Sequence, residues 1–371
     1  VPAFESVIEA FEGFCDADPA YCAQLAVHIG GERQLDLSQG MGKDELLPVF
    51  SSSKGASAVV IGLLLEREQL DLDATVASYW PEFTQKEKGA VTVRQLLSHQ
   101  AGLNGVDGGF TTEELLAHEP LAERLAAQRP LWHPGAGVEY HAVTLGTLAD
   151  ELVRRIDGRT LAEVLRQDVT TPRGIDIFMG TPESQDHRVL EALPPTSEEL
   201  AAFLANPSAG LDLAGGSGRL ASLSLPAGGI FDLFTRVNSL AFRRVGPPAA
   251  GMTATARGLA ALYACLRHEI GGQPPLLGDE TMAQMSQMQV SGKELSSGLQ
   301  VRFAIMFQLP CTPRWPFGSF RAFGHDGAGG SLAFYDPLHE IGFGYTVQRL
   351  PLPGGLDARA VELARLVREA L

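Results

Sequence analysis

Positive charge is what this chain lacks most: 29 Lys and Arg stand against 44 Asp and Glu, giving a formal net charge of -15. A surface this acidic repels phosphate backbones and anionic bilayers, so nucleic acid is excluded as an expected partner. Cysteine is scarce as well. Cys15, Cys22, Cys265 and Cys311 form no CxxC pair and no zinc-ligand pattern. They read as reduced core thiols, with a Cys15–Cys22 disulfide left open by their short separation. The nine histidines show neither HExxH nor HxH spacing, so no metal is expected. No apolar run reaches the roughly 18 residues that a bilayer span requires. No basic segment followed by an apolar one opens the chain either. The expectation is a chain with no membrane span and a cytoplasmic address, a removed leader staying open because the first residue is Val1. G-x-S-x-G is missing, which disfavours an α/β-hydrolase. Dinucleotide and Walker loops are missing too, and no cofactor is expected.

What is present is length and apolar mass. The 371 residues, 45% of them hydrophobic, can bury a large core in one large domain or two closely joined ones. Residues 3–15 carry Phe4, Val7, Ile8 and Phe11 at helical spacing. Gln24–Ile29, Gly30-Gly31 and Gln34–Leu37 read as a hairpin. Residues 55–69 predict a helix with Val59, Val60, Leu63 and Leu64 as its apolar stripe, and a short helix is expected at Arg94–Ser98. Residues 110–170 are mainly helical in pattern. The stretch from Thr196 to Pro248 reads as loops over short helices, and Ala254–Arg267 as a helix. Strands are expected at Leu299–Gln308, Ser331–Tyr335 and Ile341–Val347, then a closing helix over Leu356–Leu371. This order predicts an α/β (α+β) fold: an antiparallel sheet flanked by helices, with a mainly helical region inserted. Residues 1–75 and 252–371 would form the sheet region and 76–251 the helical one, with the active site in the cleft between them.

Three short motifs carry chemistry. Ser51-Ser-Ser-Lys54 stands directly before the 55–69 helix. At this spacing the two side chains share one helix face about a turn apart. A serine hydroxyl needs a neighbour to take its proton, and a buried lysine can do so or can assist another base. The helix N-terminus adds partial positive charge beneath a developing oxyanion. Ser52 and Ser53 lack the right offset to Lys54. The second motif is Tyr140-His-Ala142, where Tyr140 is expected to open a helix. A phenol beside Lys54 would have its phenolate favoured and serve as general base. The third is His325-Asp-Gly327 within a Gly-rich run ending at Ser331. Its glycines permit close approach of a ligand to a strand edge, with the N–H of Ala328 as one half of an oxyanion hole and that of Ser51 as the other.

Ser51-x-x-Lys54, Tyr140-x-Ala142 and His325-Asp-Gly327 resemble, in type and order, the three motifs of class C β-lactamases, DD-peptidases and family VIII carboxylesterases. Val91–Leu103 and Leu70–Asp73 resemble that superfamily's segments around the nucleophile helix. The resemblance runs from about residue 20 to 349 and is poor over 175–250. It implies a β-lactamase/transpeptidase-like fold and acyl transfer through Ser51, with Lys54 and Tyr140 as the base system and His325, Gly327 and Ala328 beside the substrate. Ala142 replaces the usual Asn, and His325 the usual Lys of Lys-Thr-Gly. Both changes remove recognition of an acylamino acid or β-lactam and are tolerable for an uncharged ester. A β-lactamase or DD-peptidase, an acyltransferase and a catalytically silent scaffold stay open as alternatives. The natural ester, the choice between Lys54 and Tyr140 as primary base, and the oligomeric state are not legible.

Overall fold

The computed structural model describes residues 4–205, 218–352 and 354–371. It opens with helix α1 (Glu5–Ala17), which buries Val7 and Phe11. Strands β1 (Ala23–Ile29) and β2 (Glu32–Gln39) follow as an antiparallel hairpin. Gly30 and Gly31 turn it with φ of 57° and 87°, the left-handed pair that a two-residue turn between twisted strands requires. Near the other end of the chain lie β3 (Phe323–Asp326), β4 (Leu332–Asp336) and β5 (Ile341–Val347). The five strands make one antiparallel sheet in the order β2-β1-β5-β4-β3. β1 pairs with β5 from Ala23↔Val347 to Ile29↔Ile341, so the two chain ends are zipped together at its centre.

Helices cover both faces. On one, α1 and the closing helix α6 (Ala358–Glu369) pack together over Leu25, Val27, Phe343 and Tyr345. On the other lies α5 (Ala256–Ala264), capped by the Thr255 hydroxyl. Glycine lets α5 sit directly on the sheet: a Cβ at Gly344 would fall 2.2 Å from the carbonyl oxygen of Ala256.

Helix α2 (Ser53–Glu66) runs through the middle of the molecule. An apolar stripe was expected on one side, yet residues 53–64 are all buried, polar ones included, as suits a helix enclosed by protein on every side. Against it packs α4 (Thr144–Asp157), and against α4 in turn packs α3 (Val93–Leu97), started by a Thr92/Gln95 capping box. Tyr140 does not open a helix. It sits in the loop before α4, which begins four residues later.

The expected strand at Leu299–Gln308 is shorter, Gln300–Phe303, and pairs with Val290–Lys293 in a separate two-stranded ribbon. Met306 has φ of 58° and breaks it. A further three-stranded sheet of Leu47–Pro48, Met252–Ala254 and Ile177–Met179 was not expected, because runs of two or three residues show no alternation to read. Within 196–248, short helices occur at Ser197–Ala205, Arg219–Leu223, Gly229–Arg236 and Leu240–Val245, and residues 206–217 lie outside the described residues. All four cysteines are free thiols. Among the described residues no helix is long and apolar enough to cross a membrane, and no cluster of three metal-ligating side chains occurs.

Candidate active site

Ser51 lies in a one-turn 3-10 helix, Phe50–Ser52, that leads straight into α2. The residue before it is held in an uncommon conformation: Phe50 has φ of 48°, with its ring buried edge-on against Phe234. Such a backbone persists only where surrounding contacts over-determine it. Here the contacts come from the third motif. The Ser331 hydroxyl donates to the carbonyl of Val49 (2.9 Å) and meets the Ser52 hydroxyl (2.9 Å), which also lies 3.2 Å from the carbonyl of His325. Ser53 donates to the carbonyl of Phe50 and accepts from the N–H of Met252. Ser52 and Ser53 therefore brace the turn from behind, while Ser51 alone of the three lines the cleft.

The glycines of the third motif serve the same turn. A Cβ on Gly327 would fall 2.2 Å from the carbonyl oxygen of Val49, and one on Gly329 2.6 Å from the Phe50 ring. The close approach expected for a ligand is thus made by the nucleophile's own loop. Gly327 is buried behind it, whereas Ala328 reaches the cleft wall.

Lys54 is fully buried. Its amine bonds the Ser51 hydroxyl at 3.1 Å and the carbonyls of Ala142 and Ala249 at 2.6 and 3.0 Å. Burial pushes its pKa down to about 7, against the weaker pull of Asp326. Tyr140 is hydrogen-bonded to Ser51, and the Lys54 amine lies 4.8 Å from the centre of its ring. Burial holds the phenol far above its ordinary range. The expectation of a favoured phenolate is not met: desolvation of the buried anion is the largest influence, and it favours the neutral phenol. Ser51, Lys54 and Tyr140, far apart along the chain in the last case, meet within hydrogen-bond reach.

His325 does not reach the cleft. It is fully buried behind Tyr140, with ring centres 6.0 Å apart. Its Nδ1 lies 2.7 Å from the carbonyl oxygen of Asp326, so that nitrogen carries the proton and Nε2 is left to accept. Nε2 lies 3.5 Å from the Tyr140 hydroxyl. Burial and the nearby Lys54 hold the ring well below its ordinary pKa, so it is neutral. His99, not singled out from the sequence, packs 5.0 Å from the Tyr140 ring and accepts the N–H of His141. Phe303 stacks on the same phenol. Nothing in the sequence marks these three as one cage except the tertiary path that brings them together.

The cleft encloses about 360 Å³. Phe50, Leu225, Ile230, Leu233 and Phe234 supply apolar lining, and Glu139, Gln308, Arg314 and Asp326 supply polar lining. Leu225, Ile230, Leu233 and Phe234 come from the poorly legible 175–250 stretch.

Sheet, central helix and the serine–lysine–tyrosine cluster at their junction define the architecture shared by β-lactamases and penicillin-binding proteins. The chain belongs to the Beta-lactamase family, whose family model matches residues 10–367. It is 30% identical, over its full length and 87% of the relative's, to esterase/beta-lactamase LipL of Mycobacterium tuberculosis. Among solved structures it superposes on EstA from Arthrobacter nitroguajacolicus with a TM-score of 0.89 at 40% identity, covering 100% of this chain and 97% of that one. A family VIII carboxylesterase matches at 0.83 and 31% identity, covering 100% and 98%.

Proposed function

We propose that this protein hydrolyses small carboxylic esters through an acyl-enzyme on Ser51. The single observation that carries the reading is the setting of Lys54. When neutral, its two N–H bonds go to the carbonyls of Ala142 and Ala249, and its lone pair faces the Ser51 hydroxyl. With its pKa lowered by burial to about 7, this neutral form is accessible at neutral pH. Lys54, rather than Tyr140, is then the primary base.

Ser51 attacks the ester carbonyl as its proton passes to Lys54. The N–H of Ser51, in the first turn of its helix and without an intrahelical acceptor, and that of Ala328 on the facing wall stabilise the oxyanion. Tyr140, protonated, gives its proton to the departing alkoxide, and the Lys54 ammonium restores it. Water repeats the sequence on the acyl-enzyme and releases the acid. Relatives named as esterases support the ester as substrate class. A second reading, opening of a β-lactam ring by the same serine, is favoured by the double name of the mycobacterial relative.

Intact-mass measurement across short-chain nitrophenyl esters and nitrocefin tests both. The expected result is an acyl adduct on the peptide holding Ser51, lost in Ser51→Ala. Full turnover by Ser51→Ala would end the proposal.

A further inference from the structure

Among the described residues lining the cleft, Arg314 is the one arginine or lysine. Its guanidinium stacks 5.0 Å over the Trp315 ring and, among the described residues, gives one hydrogen bond, from Nη1 to Glu294 at 2.8 Å. A guanidinium has five N–H donors in a planar fork, so most of them remain for something in the cleft. Glu294 does not follow the cation outward. Its side chain is 1% exposed against 22% for Arg314, and it is pinned by the Tyr140 N–H and the Ser297 hydroxyl. The acid is hidden and the cation faces the cavity.

The other two acids of this wall are held by partners other than Arg314. Glu139 is occupied by the Ser296 N–H and hydroxyl, and burial together with the charge of Glu294 pushes its pKa up to about 7. Asp326 takes the Gln308 amide, and burial raises it too. The same cleft is also lined by the apolar side chains of Leu225, Ile230, Leu233 and Phe234. A wholly neutral ester leaves the guanidinium donors without a partner in a half-enclosed site.

We propose that Arg314 is a specificity determinant that binds a carboxylate, and that the preferred substrates are esters bearing a second, ionised carboxyl group. This rests on the ester-hydrolase reading above and deepens it. The carboxylate belongs to the acyl part or to the leaving group, and paired substrates separate the two: 4-nitrophenyl hydrogen glutarate against 4-nitrophenyl valerate, and 3-(butyryloxy)benzoate against phenyl butyrate.

The quantity to measure is the ratio of kcat/KM for the anionic ester to that for its neutral partner. In R314Q that ratio is expected to fall roughly 10–100-fold in one pair, the loss of a charge-assisted bidentate contact. R314K, which keeps the charge without the fork, retains part of it and covers the case in which R314Q fails to fold. A ratio unchanged within about twofold in both pairs overturns the proposal. A binding arm needs no turnover: monomethyl glutarate titrated calorimetrically into S51A and S51A/R314K. Weaker binding in the double variant supports the anion site even if no ester is hydrolysed, a result that would sink only the esterase reading. Equal binding overturns the anion site while leaving that reading intact.

Discussion

The amine of Lys54 stands 3.1 Å from the hydroxyl of Ser51, at the bottom of a cleft where no water-filled shell surrounds it. Two carbonyls from separate segments, Ala142 and Ala249, fix its position. The i, i+3 spacing puts the pair on one helix face. The enclosure that lowers the lysine's pKa comes from elsewhere in the chain.

Activity should therefore follow the deprotonation of Lys54. The base form exists above the folded pKa, so kcat/KM for a neutral ester should rise with pH through about 7 and level off above it. Lys54→Arg, charged at every pH, should lose roughly 10²–10⁴-fold and show no such rise. A pH–rate profile flat from 5 to 9 in the unmodified protein would count against Lys54 as the base.

His325 accepts toward Tyr140 instead of facing the substrate, so its loss should be felt in the chemical step. His325→Phe keeps the ring and removes the acceptor. The expected result is a drop of roughly tenfold in kcat with KM for neutral esters little changed. The opposite pattern, a raised KM at constant kcat, would assign the ring to substrate contact after all.

The two glycines packed on the nucleophile loop should differ in tolerance. Gly327→Ala drives a methyl group into the backbone carbonyl of Val49, whereas Gly329→Ala meets the edge of the Phe50 ring, a side chain rather than backbone. Overpacking costs about 1–3 kcal/mol, and displacement of the attacking oxygen by an ångström costs roughly 10²-fold in rate. Labelling by a fluorophosphonate probe should be slowed in both, and more in Gly327→Ala. A reversed ranking would show that the loop, not the carbonyl, yields.

Ser331→Ala removes the hydroxyl that ties Val49 to the Gly-rich loop and leaves the Ser52 hydroxyl with His325 alone. Denaturant titration should show a loss of about 1–3 kcal/mol, the cost of an orphaned buried acceptor. Turnover should fall as well, although Ser331 lies outside the cleft lining. Unchanged stability and rate together would mean that Phe50 keeps its left-handed conformation without this brace.

Much of the frame was readable because it depends on local pattern. The Gly30-Gly31 hairpin, the closing helix and the strand at Ile341–Val347 each announce themselves by period or turn chemistry within a few residues. Met252–Ala254 does not, being too short for any period, and neither does Tyr140's place in a loop. Of the candidate residues, Ser51, Lys54 and Ala328 line or adjoin the cleft as expected from their motifs. His325 and Gly327 stand behind it, because burial at a sheet edge depends on what packs over it.

The sequence by itself determined that a serine and a lysine share a helix start, that a tyrosine and a Gly-rich strand end accompany them, and that both chain ends supply one antiparallel sheet. These follow from spacing, and spacing is a one-dimensional property. Only the tertiary structure decided which groups are dry, which are charged and which face the cavity: the lowered Lys54, the protonated Tyr140 phenol, the hidden His325 and the open Arg314. Desolvation and close approach are sums over neighbours from distant segments, and no local window of the chain contains them.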